Sequence, residues 1–158
     1  RQMKQTGQHQ LLIFTHPFAP EAGIQVPGGT LRDDETPADG ALREAMEETG
    51  LTGLRIVDFL GEVQRDMSDY GIDQLHHRHF FHLICDQDTA EIWRHGEFDP
   101  SDSDGQIRPD PIIFEFFWAS IPDALPPLIA GHDALLSELL RRLGVGQTDT
   151  NPETNRNL

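Results

Sequence analysis

Apolar and β-branched residues gather in short stretches of the chain, separated by polar and glycine- or proline-containing segments. Gln10 to Thr15 and Gly23 to Val26 read as strands, the second ended by the turn-forming Pro27-Gly28-Gly29. Leu54 to Gln64 and Leu75 to Cys85 carry strand-like runs on either side of the polar segment Arg65 to Gln74, and Ile112 to Ala119 is a further strand. The period changes between Pro37 and Thr49, which reads as a helix starting at Thr36 or Pro37 and stopped by Gly50. A second helix is predicted from Gly131 to Leu143, where Leu135, Leu136, Leu139, Leu140 and Leu143 recur at helical spacing. Asp86 to Pro111 is acidic, contains Gly and Pro, and reads as an irregular loop. Strands before, between and after helices predict an α/β domain over residues 1–143, with a mixed β-sheet covered on its faces. Residues 144–158 have almost no apolar content and read as a disordered C-terminal tail.

The first helix carries the chemistry. At about 100° per residue, Glu44, Glu47 and Glu48 fall within an arc of roughly 100°, while Ala38, Ala41, Leu42, Ala45 and Thr49 cluster on the other side. The plain reading is a solvated acidic face, with the small residues packed on a sheet and the acids aimed outward. Two local costs count against it. Like charges at i,i+3 and i,i+4 each disfavour a helix by about 0.2–0.5 kcal/mol, and Glu47 and Glu48 lie near the negative end of the helix dipole. A bound divalent cation reverses the sign of both terms. Oxygen ligands without cysteine point to magnesium, with manganese as the other hard candidate, rather than structural zinc.

Composition narrows the field further. The 158 residues suit one domain, and 27 acids against 12 bases give a formal charge of -15. Such a surface, with no basic stripe, argues against nucleic acid and anionic membranes as partners, so any polyanionic substrate needs a local countercharge. The single cysteine, Cys85, excludes an intrachain disulfide and fits a reducing, cytoplasmic location. No apolar run approaches the roughly 20 residues that span a bilayer, and no signal peptide is recognisable. The chain opens on Arg1 rather than methionine, which leaves the N-terminus open. Lys4 is the only lysine, so the body of the chain lacks a residue for a P-loop or a Schiff base; Gly-x-Ser-x-Gly and His-Glu-x-x-His patterns are absent as well.

The stretch from Gly29 to Leu51 then matches a known pattern: Gly29, five residues, Glu35, seven residues, Arg43-Glu44, a small apolar residue, any residue, Glu47-Glu48, any residue, Gly50 and an aliphatic residue. It resembles the Nudix box. Seven fixed residues of roughly 6–7% usage each align by chance at about one in 10⁸ start positions. Ala45 stands where a larger aliphatic residue is often found, a departure that removes no ligand. The resemblance implies a Nudix-like α/β/α sandwich and a loop-helix-loop that binds divalent metal for hydrolysis of a diphosphate linkage in a nucleoside diphosphate derivative or related nucleotide. It implies that Glu44, Glu47 and Glu48 are metal ligands and that Arg43 and Glu35 brace the helix against the preceding loop. Glu44 is then the first candidate for general base and Glu47 the second, although the base of this family is not always in the box. Gly28 and Gly29 give a substrate close access to the backbone, and Gly50 permits the left-handed helix end. Homodimers are common in the family. A catalytically weak nucleotide-sensing or partner-binding module on the same fold is the alternative, as is action on RNA ends through a small basic patch.

Outside the box, Glu97 reads first as a solvated loop acid and second as a base or further ligand. In the run His76-His77-Arg78-His79-Phe80-Phe81-His82, strand alternation puts His77 and His79 on one face and His76 and His82 on the other. No more than two of them then reach one ion, so the run reads as a sheet-face cluster rather than a zinc site. Arg78, with one of the histidines, is a candidate for substrate phosphate, and Tyr70, in a loop, for stacking on a base. Trp118 is read as core, His132 as a capping or surface residue of the last helix, and Cys85 as buried and inert.

Overall fold

The computed structural model describes residues 1–98 and 110–146. Residues 147–158 of the expected tail, and residues 99–109 of the acidic segment, lie outside the described residues. Strand β1 (His9–Thr15) precedes helix α1 (Pro37–Thr49), followed by β2 (Leu54–Asp66), β3 (Leu75–Cys85), β4 (Ile92–Glu97), β5 (Ile112–Ile121) and helix α2 (Leu136–Arg142). The strands form two sheets, one ordered β1-β5-β4 and the other β2-β3, and all of these pairings are antiparallel. Helix α1 contacts strands of both sheets and so joins them, as expected of an α/β fold of this kind.

The core lies in the three-stranded sheet. Phe14 of β1 meets Phe114 and Phe116 of β5 with ring centroids 5.0 and 5.3 Å apart, and Leu12, Trp93 and Ile112 pack around them. Ile13 and Phe14 are neighbours in sequence yet both buried, so β1 is covered on both faces.

Three expected elements differ. Gly23 to Val26 forms only a single bridge, Phe14 to Gln25, with reciprocal N–H to O bonds of 2.9 and 3.1 Å. Gly23 has φ +71°, outside the extended range, so the segment leaves strand conformation at its first residue, and a Cβ there would fall 2.8 Å from Ile129. The last helix starts at Leu136 rather than Gly131, because Ala130 and Gly131 have positive φ and the next residues form turns. Its leucine stripe still buries Leu139. The segment read as a loop contains β4, which pairs with β5 from Ile92↔Phe117 to Glu97↔Ile112. Among the described residues, no helix is long and apolar enough to cross a membrane.

Candidate active site

Helix α1 has defined ends. The Thr36 side chain accepts the Asp39 N–H at 3.2 Å, Pro37 follows it, and Gly50 closes the last turn at φ +71° with its N–H on the Met46 carbonyl. Two side chains of β4 complete that end. Trp93 Nε1 donates to the Thr49 carbonyl at 3.0 Å, and His95 Nδ1 lies 2.9 Å from the Glu48 carbonyl. A carbonyl can only accept, so His95 carries its proton on Nδ1. These bonds satisfy carbonyls that a helix end leaves open. Since Trp93, His95 and Glu97 alternate on one face of β4, docking of the first two on the helix end carries Glu97 to the box.

The carboxylates are not a solvated stripe. Glu44 is 3% exposed and Glu48 6%, so both turn into the protein with Gly40, Ala45 and Thr49. Glu47 remains 38% exposed at its side chain. Glu97, read from sequence first as a solvated loop acid, is 8% exposed. Oxygens of Glu44, Glu47 and Glu97 all lie within 4.8 Å of one another. Glu48 is placed differently: its Oε2 accepts the Gly28 N–H at 3.0 Å and so ties the helix to the glycine loop. A Cβ on Gly28 would meet nothing within 4 Å, which leaves that backbone open to a ligand.

Arg43 ties the box together. Its Nε and Nη2 grip the two oxygens of Glu35, each at 2.7 Å, its Nη1 donates to Glu44 at 2.6 Å and to Glu47 at 2.9 Å, and Nη2 reaches the Thr30 carbonyl at 3.2 Å. The Arg43 guanidinium holds the Glu35 carboxyl down at about 2, and Glu35 in turn raises Arg43 above its ordinary range. Arg32 adds a backbone N–H to Glu35 at 3.2 Å and a longer 3.5 Å contact to Glu47.

Glu44, Glu48, Gly28 and Gly29 border an extended open cavity of about 1880 Å³, whose long lining includes Arg78 and Tyr70 as well as His77 and His79. Arg78 Nη1 donates to the Ala130 carbonyl at 2.6 Å and Nη2 contacts the Met67 sulfur at 3.3 Å. Burial first, and Arg65 second, lower its pKa. Tyr70 accepts the Ala130 N–H at 3.1 Å through its hydroxyl, so the ring is anchored rather than loosely packed on the surface. Trp118 is only half-buried and donates to Thr89, and Cys85 is half-buried rather than buried.

His132 corrects the sequence reading as well, since it lies outside α2, half-buried, with Nδ1 accepting the Val26 N–H at 3.4 Å. Burial, and then the charge of Arg78, push it down to about 4. The unfolded histidine titrates near its ordinary value of about 6.5, so between these pH values the unfolded chain binds more protons. The stabilisation is therefore present above pH ~6.5 and lost as pH falls through ~4, to an extent of up to about 3 kcal/mol. Thermal unfolding of the wild type should show this slope and His132→Gln should lack it; equal slopes would remove His132 as its source.

The NUDIX domain family matches residues 3–140. With most of the chain covered, it belongs to the Nudix family. Over 144 residues it is 26% identical to diphosphoinositol polyphosphate phosphohydrolase 3-beta of Bos taurus, an alignment spanning 91% of this chain and 74% of the relative. No solved structure gives a significant match. Family membership and similarity to a phosphohydrolase support a diphosphate-type hydrolase, and Nudix enzymes generally use divalent metals and act on small molecules.

Proposed function

We propose that this chain is a magnesium-dependent pyrophosphohydrolase, with manganese as an alternative ion, that cleaves the diphosphate linkage of a nucleoside diphosphate derivative. The observation that carries the reading is the convergence of Glu44, Glu47 and Glu97 oxygens within 4.8 Å, two of these residues being buried. Like charges about 4 Å apart repel by about 4 kcal/mol at an effective dielectric constant of about 20; Arg43 offsets part of this at Glu44 and Glu47, and a cation removes the rest. The donor set is all carboxylate oxygen, which suits a hard ion. Glu44, Glu47 and Glu97 would hold it, while Glu48 of the same helix binds the Gly28 N–H. When bound, the ion polarises phosphoryl oxygens and lowers the pKa of water.

The chain's own groups do the rest. Glu44 is the candidate general base, oriented by Arg43; Glu97 is the second candidate, in place of the half-exposed Glu47. The open Gly28 backbone admits the diphosphate beside the helix. Arg78, whose charge is disfavoured by burial and by Arg65, gains from an anion in the cleft, and the half-exposed Tyr70 ring offers a stacking surface for the base.

The bovine relative's name indicates a diphosphoinositol polyphosphate, which carries many phosphates. The 12 basic residues here, against 27 acidic ones, favour a substrate with fewer charges. The test is a panel of sugar nucleotides, ADP-ribose, dinucleoside polyphosphates, oxidised nucleotides and a diphosphoinositol polyphosphate, with magnesium or manganese and products identified by mass. We expect metal-dependent release of a nucleoside monophosphate, with kcat/KM at least about 100-fold above that for the inositol compound, a difference of about 2.7 kcal/mol. Tight nucleotide binding without products would instead favour a sensing module, and a preference for the inositol compound would overturn the substrate class.

A further inference from the structure

A second group of metal-ligating side chains lies on the β2–β3 pair. Glu62 of β2 faces His79 of β3 directly, and His77, opposite Gln64, is the next residue on that face. Glu62 Oε2 lies 3.1 Å from His77 Nε2 and 3.4 Å from His79 Nε2, and the three ligand atoms all fall within 4.8 Å of one another. We propose that Glu62, His77 and His79 form a separate site for a zinc-class transition ion, with a fourth position open to water or to a donor from another molecule.

The argument is one of geometry and ligand type. A tetrahedral ion with bonds of about 2.0–2.1 Å places its ligands about 3.3 Å apart. Both distances from Glu62 already stand close to that edge, and the imidazole centroids are 4.7 Å apart. Two imidazole nitrogens and one carboxylate suit zinc, nickel or copper and not magnesium, whereas the all-oxygen cluster on α1 has the opposite preference. Alternation puts this group on the strand face opposite Arg78, although His77 and His79 also border the large cavity that Glu44 lines. His77 and Glu62 are both more than half exposed, so an ion reaches them directly from solvent.

Alternation within the histidine run excludes a third histidine, as the sequence indicates, but the third ligand comes from the neighbouring strand. Bulges between Ile56 and Asp58 and between Phe59 and Gly61 bring it into place. An unbroken register continued from Leu54↔Cys85 would have set Leu60, not Glu62, opposite His79.

The test is calorimetric titration of the intact protein with zinc while magnesium is kept saturating, with cobalt absorption as a reporter of tetrahedral geometry. We expect one zinc per chain, unaffected by magnesium, and at least a tenfold loss of zinc affinity in His77→Gln/His79→Gln. The same double variant should unfold close to the wild-type temperature without zinc, since His77 is half-exposed and glutamine keeps a polar side chain at the more covered His79, and should lose the zinc-induced rise in Tm. Zinc binding that survives in the double variant, that disappears in Glu47→Gln instead, or that is absent from the wild type would overturn the proposal.

Discussion

Glu47→Gln should lower kcat by about 10²–10⁴-fold at fixed magnesium and raise the magnesium concentration needed for half-maximal rate. The change keeps the shape of the side chain and removes one of three negative charges at the cluster. Its effect on folding should be small. The side chain is more than a third exposed, and losing the 2.9 Å bond to Arg43 is offset by relief of repulsion from Glu44 and Glu97. Glu97→Gln should produce a loss of the same order, although Glu97 lies 50 positions from Glu47 and outside the box. If the acids were only a solvated helix face, both variants would turn over substrate like the wild type. The readout is kcat against magnesium concentration with Tm measured in parallel; unchanged kinetics in folded Glu47→Gln would remove the metal role.

The contrast between Glu47 and Glu97 shows which parts of the site can be read from the chain. Residues Pro37 to Thr49 are legible because helix periodicity, a threonine cap, a proline start and a glycine stop are all local, and the structure places the helix at those bounds. The spacing of Arg43, Glu44, Glu47 and Glu48 is local too. What burial does to them is not. Glu44 and Glu48 share the buried side with Ala45 and Thr49, whereas amphipathicity alone would send them to solvent. Strand β4 is only six residues long and sits in an acidic segment, so its composition hides it. Its sequence, Ile92-Trp93-Arg94-His95-Gly96-Glu97, has no apolar-polar alternation to mark a strand. Its pairing with β5, and its bonds to the end of α1, depend on contacts distant in sequence. For the same reason Glu62 could not be joined to His77 and His79, because two bulges decide that register.

Arg43→Met should destabilise the fold by about 3 kcal/mol, because it removes the cation beside the buried Glu44 and the largely covered Glu35, while Glu47 stays partly exposed. Glu35 and Glu44 lose close guanidinium bonds at once, and Glu35 loses both oxygens' partners. Arg43→Lys keeps the charge but not the fork, so it should recover only part of the loss. Acid behaviour separates this account from simple loss of packing. In the wild type the Glu35 carboxyl is held at about 2, so its contribution is present above the ordinary carboxylate range and lost as pH falls toward 2. Without Arg43 that contribution is missing already at neutral pH, and the acid limb of the stability curve should be flatter. Magnesium should also raise the Tm of Arg43→Met by more than that of the wild type, since the cluster left behind is more negative and binding stabilises only the folded chain. Denaturant unfolding at several pH values, with and without magnesium, measures all three effects. A Met variant as stable as the wild type at neutral pH would show that Arg43 does not hold the loop and helix together.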